Sequence, residues 1–123
     1  RDVFERGRTV DLAFLSVGEL SKNSTMAKLG LITADEVTTL QNAGAVGDLC
    51  SHWLDAKGQF VEHALNRRAV ALPPEHLRGV PRVVLVSGGR NKVVMMHGVL
   101  SNKLANMVVT DETTARALLD ADK

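Results

Sequence analysis

Residues 80 to 96 read "VPRVVLVSGGRNKVVMM", an apolar β-branched run that stops at two glycines and restarts at helical spacing around a lysine. This order restricts the fold more than any other feature of the chain. β-Branched residues fit a pleated, buried surface, and glycines let the backbone turn sharply where that surface ends. The pattern predicts a strand over 82–87. After Gly88 and Gly89, the residues Val93, Met96, Leu100 and Leu104 share a helical face, which extends the expected helix to about Leu104.

The same alternation recurs along the chain. "VDLAFLSVG", Val10 to Gly18, is a nearly continuous apolar run and predicts a strand buried on both faces. "ELSKNSTMAKLGL" lacks a sustained period and reads as a loop with at most one helical turn. In "TADEVTTLQNAG", Thr33 and Glu36 have capping-box spacing, Val37 and Leu40 share a face, and Gly44 supplies the stop, so a helix is expected. "AVGDLCSHWLDAKGQFV" predicts two short strands with Asp55 to Gly58 as the hairpin turn. "RAVAL" is a further strand candidate. Pro73 and Pro74 end it before a short helix at "EHLRGV", which Pro81 limits. "ANMVVTD" closes the set as a strand and "DETTARALLD" as a helix. Strands alternating with helices define an α/β domain with a largely parallel sheet flanked by helices. No internal repeat, low-complexity tract or interdomain linker interrupts it.

Composition narrows the function classes. At 123 residues and 45% hydrophobic content, the chain suffices for one core. Fifteen basic against fourteen acidic residues give a formal charge of +1, and no stretch clusters Lys and Arg densely enough to track a phosphate backbone. The single Cys50 excludes an internal disulfide and a cysteine zinc site, and no apolar stretch has the roughly 20 residues of a membrane span. A cytoplasmic protein with no membrane contact is the expectation. His52, His63, His76 and His97 show no metal-ligand spacing, and Cys50, Trp53, Met95 and Met96 read as core. Ser87 lacks the flanking pattern of a hydrolase nucleophile. The opening "RDVFERGRTVDLAFLSVG" carries no signal peptide and reads as the tail of one element running into a strand.

In open α/β sheets, ligands sit beyond the carboxyl ends of strands, where "SGGRNK" falls. Free amides at the start of the following helix favour an anion, and Lys92 adds a positive charge, so a phosphate is a suitable guest. The alternative is a plain tight turn at Gly88 and Gly89 with a solvated Lys92, because neither a dinucleotide fingerprint nor a P-loop is present. A helix terminus contributes about 0.3 to 2 kcal/mol to anion binding, whereas micromolar affinity needs about 8 kcal/mol. Other residues must therefore contribute. Candidates are Asp48 in "GAVGD", Asp55 in "LDAKG", and Asn66 with Arg68 in "NRR", where the arginine fork suits bidentate phosphate recognition. Against these stand a solvent-facing strand carboxylate for Asp48, a turn-forming Asp55, and surface arginines at 67 and 68.

Taken in order, "AGAVGD", "LDAKG", "NRR", "LRGVPRVVLVSGG-NK" and "VVTDETTARALL" resemble the sugar-binding domain of the SorC family of bacterial transcriptional regulators. The similarity runs from about Val10 to Leu119. It implies a Rossmann-like fold of the kind found in ribose-phosphate isomerase, glucosamine-phosphate deaminase and CoA transferases. It also implies an effector domain that binds a phosphorylated sugar and acts on operator DNA through a separate N-terminal helix-turn-helix domain, as a homo-oligomer and without a cofactor. On this comparison residues 1–123 form part of one effector domain. The helix-turn-helix and the first effector strands, with a further glycine-rich phosphate loop, are expected upstream. The resemblance assigns effector contacts to Asp48, Asp55, Asn66, Arg68, Gly88, Gly89 and Lys92, with Lys92 and Arg68 on the phosphate and Asp48 with Asn66 on sugar hydroxyls. The chain departs from the pattern at Ser16 to Gly18, where relatives often have Gly-x-Gly, and at Ala71 and Met95. Two further readings compete with a non-catalytic sensor. One is a sugar-phosphate isomerase or deaminase with Asp48 as base, although no acid–base pair is evident; the other is a domain kept for oligomerisation alone.

Overall fold

The structure, a computed structural model, describes residues 2–123; Arg1 lies outside the described residues. The chain runs α1 (Asp2–Gly7), β1 (Leu12–Leu15), β2 (Val17–Glu19), α2 (Thr25–Lys28), α3 (Ala34–Asn42), β3 (Gly47–Leu49) and β4 (His52–Leu54). It continues through α4 (Ala64–Arg68), a 3-10 turn (Pro74–Gly79), β5 (Arg82–Val86), a second 3-10 turn (Arg90–Lys92), α5 (Val93–Ser101), β6 (Met107–Val109) and α6 (Glu112–Ala121).

Two small sheets result. β1, β5 and β6 form a parallel sheet in the order β1-β5-β6, with Leu15 opposite Leu85 and Leu85 opposite Val108. The expected α/β class is met. The expected single strand over Val10–Gly18 is instead two: at Ser16 the chain leaves the parallel sheet, and β2 joins β3 and β4 in an antiparallel sheet, Val17 opposite Leu49. The run is also not buried on both faces. Phe14 is 68% and Val109 57% exposed, because the helices of these 123 residues pack on the other face, where Val83 and Leu85 are buried with Met96 and Val99.

The antiparallel sheet lies between two apolar clusters. Val17, Leu49 and Leu54 pack with α5 through Met95 and Met96, while Leu20 and Trp53 join Val37 and Leu40 of α3. Fully burying each such Leu, Val or Met is worth roughly 1.5–3 kcal/mol, so β4, with all three residues buried, ties the two halves of the core together. Helix α3 follows the sequence reading. The Thr33 hydroxyl accepts from the Glu36 amide at 3.1 Å, the Glu36 carboxylate accepts from the Thr33 amide at 2.9 Å, and Gly44 ends the element with φ +94°.

Other expectations are corrected. A further hairpin, β3–β4, turns at Cys50 and Ser51, both left-handed at φ +52° and +63°, where none was expected. A two-residue hairpin of this kind normally carries Asn-Gly, so its sequence signal is missing here. Asp55–Gly58 is a hairpin turn as expected, closed by the Asp55 amide donating to the Gln59 carbonyl at 2.8 Å and by the antiparallel bridge between Leu54 and Phe60, although its second arm is a single bridge and not a strand. "RAVAL" forms no strand; residues 64–68 are helical, capped by the His63 imidazole accepting from the Leu65 amide at 3.1 Å. Helix α5 stops at Ser101, three residues before Leu104. Asn102 donates its side-chain amide to the Gly58 carbonyl at 2.6 Å, Lys103 turns left-handed, and the Leu104 amide closes on the Val99 carbonyl at 3.0 Å.

At this crossing α5 and the Asp55–Gly58 turn meet through glycines. A Cβ on Gly98 would lie 2.7 Å from the Ala56 carbonyl oxygen and 2.9 Å from the Gly58 nitrogen. Alanine in a helix interior ordinarily gains about 1 kcal/mol over glycine, but overpacking against backbone costs about 1–3 kcal/mol. Gly98→Ala is expected to lower stability, and Thr33→Ala to lower it by about 1 kcal/mol through the lost cap. Urea denaturation followed by circular dichroism measures both.

Candidate functional site

Strands β1 and β5 are neighbours, and the chain segments that follow them converge on one crevice at their carboxyl ends. Lys92, at the end of the second 3-10 turn, reaches across to donate from Nζ to the Val17 carbonyl at 3.1 Å. Asp48 sits in the middle of β3, opposite Gly18 in the ladder. A Cβ on Gly18 would overlap Asp48 Oδ1, so glycine at that position gives the carboxylate its place. Asp48 and Lys92 line a small cavity of about 80 Å³ with Gly18, Glu19, Ser24 and Thr25. Glu19 is held there by Asn91, whose Nδ2 donates to Oε2 at 2.9 Å.

The Asp48 carboxyl is pushed above its ordinary range. Burial is the larger cause, partly offset by a hydrogen bond from the Ser51 amide and by the nearby Lys92 ammonium. The left-handed Cys50–Ser51 turn thus supplies an amide to the carboxylate as well as closing the hairpin. Burial, and secondarily the Asp48 charge, also push the Cys50 thiol up, which leaves it a poor nucleophile.

Gly88 and Gly89 lie beside this crevice at the end of β5. Gly89 has φ +107°, and its amide donates to the Thr114 hydroxyl at 2.9 Å. That hydroxyl in turn donates to Asp111 Oδ2 at 2.8 Å, and Asp111 Oδ1 accepts from the Thr114 amide at 2.7 Å as the cap of α6. These Thr114 donors hold the Asp111 carboxyl below its ordinary range. A Cβ on Gly88 would come within 2.6 Å of Asp111 Oδ2. Helices α2, α3, α4 and α6 all begin with a side-chain cap, whereas the turn after Gly89 and the start of α5 have none. An uncapped start presents backbone donors to a ligand.

Three of the sequence-derived candidates lie elsewhere. Asp55 Oδ1 accepts from the amides of Lys57 and Gln59, each at 2.9 Å, and so shapes its own turn. That turn packs against Gly98, roughly 9 Å along α5 from Lys92 at 1.5 Å per residue. Asn66 behaves as a strand partner: it accepts from the Trp53 amide at 2.6 Å and donates to the carbonyls of Trp53 at 2.9 Å and Val61 at 2.8 Å. Arg68 is largely exposed, 3.7 Å from Glu36. Asp48, Gly88, Gly89 and Lys92 are the candidates the fold brings together. Glu19, Ser24 and Thr25 have a polar stretch as their only sequence signal, and Asn91 falls within the SGG-NK motif without a role assigned to it there. A larger concavity of about 240 Å³ borders Gly58, Arg78 and Asn102, but there the Arg78 guanidinium is engaged by the Asn102 carbonyl at 3.0 Å and side-chain oxygen at 2.8 Å. Among the described residues, no group of three or more His, Cys, Asp or Glu side chains could hold a metal ion, and no helix is long and apolar enough to cross a membrane.

A parallel sheet flanked by helices, with an antiparallel strand carrying Asp48 beside the ammonium and the glycine turn at its carboxyl ends, defines an α/β domain of the open-sheet class. The chain belongs to the family described as "Putative sugar-binding domain", whose model matches residues 1–120. It is 36% identical over 118 residues to the deoxyribonucleoside regulator of Bacillus subtilis, an alignment that covers 96% of this chain and 37% of that protein. Its fold is similar to that of a DeoR family transcriptional regulator from Listeria monocytogenes, with a TM-score of 0.91 and 28% identity over 95% of this chain and 47% of that one. The full-length sorbitol operon regulator SorC from Klebsiella pneumoniae shares the fold, with a TM-score of 0.84 and 22% identity over 96% of this chain and 38% of that one. The chain thus spans well under half the length of the curated relative it matches.

Asp48 makes stability depend on pH. Its folded pKa lies above the ordinary 3.8, so between the two values the folded state binds more protons than the unfolded one. Stability therefore falls as pH rises through that window and levels off above it. Asp48→Asn is expected to abolish this slope and raise the urea midpoint at pH 7, as measured by denaturation series from pH 4 to 8.

Proposed function

We propose that this chain is the effector-sensing part of a bacterial transcriptional regulator and binds a phosphorylated sugar without consuming it. The observation that carries the reading is the meeting of Asp48 and Lys92 in one crevice, at the carboxyl ends of adjacent strands and beside the uncapped turn after Gly89. In this reading the amides of that turn and the Lys92 ammonium take the phosphate, and Asp48 takes sugar hydroxyls. The sugar-binding family and the relative's description as a deoxyribonucleoside regulator support a sugar-type ligand. Sensing in place of catalysis is supported by the occupancy of the charged groups: Lys92 is tied to the Val17 carbonyl and Glu19 to Asn91, which leaves Asp48 without an acid partner in the cavity.

Operator DNA falls, on this proposal, to an N-terminal helix-turn-helix outside residues 1–123, with these residues forming part of a single effector domain in a homo-oligomer. The balanced charge of +1 fits that division, since nonspecific DNA affinity comes mostly from counterion release by clustered cations.

Phosphorylated sugars are expected to raise the melting temperature more than their free counterparts, with about 2.7 kcal/mol of stabilisation at a hundred times the dissociation constant. Equal shifts for both would remove the phosphate from the reading. Lys92→Ala is expected to weaken binding by roughly 1.5–3 kcal/mol, the worth of a charge-assisted contact. Calorimetry on the variant measures it, and steady product formation by the wild type, abolished by Asp48→Asn, would establish the isomerase or deaminase reading instead.

A further inference from the structure

We draw no further inference here: the strongest candidate, the exposed apolar face of the parallel sheet that carries Leu12 and Phe14 of β1, Val86 of β5, and Met107 and Val109 of β6, carries nothing because nothing in the structure shows what covers it.

Discussion

The transfer of one strand run between two sheets at Ser16 fixes the rest of the molecule. On one side of it Leu15 is in register with Leu85, and on the other Val17 is in register with Leu49. Leu85, Val17 and Leu49 are buried in the same cluster with Met95 and Met96 of α5, so neither register can slip without expelling its partner from the core. A one-residue slip in a strand exchanges its two faces. In β2 it would expose Val17 and bring a side chain against Asp48, where only glycine fits. Gly47 completes the arrangement, since a Cβ there would overlap the Gly18 carbonyl and crowd Met95 at 3.0 Å. Register, helix packing and the position of the carboxylate are thus set by the same contacts.

What could be read from the sequence is what is decided within a few residues. The Thr33–Glu36 box, the stop at Gly44, the strand before Gly88 and the helix after Asp111 all depend on neighbours in the chain, and all are found. What could not be read depends on distant partners. Cys50 and Ser51 adopt left-handed backbone that costs non-glycine residues about 1 kcal/mol or more each. They are held by the ladder pair Leu49–His52 and by the His52 Nδ1 contact with the Cys50 carbonyl at 2.8 Å. "RAVAL", residues 68–72, has the composition of a strand, but it leaves α4 at Arg68 with no strand among the described residues to pair with and Val70 exposed, while Asn66, just before it, is committed to Trp53 and Val61 through three hydrogen bonds. The early end of α5 depends on a Gly58 carbonyl 44 residues away from Asn102.

The site follows the same rule. Asp48, Gly88, Gly89 and Lys92 stand out because motif and position agree. Asp55, Asn66 and Arg68 belong to the same motif set, yet in the fold they shape a turn, bridge two backbone segments and face α3. A residue type required by a motif does not distinguish a ligand contact from a local folding task. Glu19 carries the reverse lesson: it has no sequence signal, and only the fold joins it to Asn91 of the SGG-NK motif across 72 residues.

The glycine turn shows how the fold fixes one wall of the crevice. Gly89 sits at φ +107°, a conformation that side-chain-bearing residues rarely adopt, and its amide is spent on Thr114 and not on a ligand. Thr114 is buried at 3% exposure and donates its own hydroxyl hydrogen bond to Asp111, whose ionised form these bonds favour. The loop conformation and the cap of α6 are therefore one hydrogen-bonded chain, and disrupting either end leaves a buried polar group unmatched, which is costly. On the opposite flank the Asn91–Glu19 bond and the Lys92–Val17 bond fasten the same turn to β2. A turn held from both sides has little conformational freedom left to lose, the property that pre-organisation requires of any binding segment.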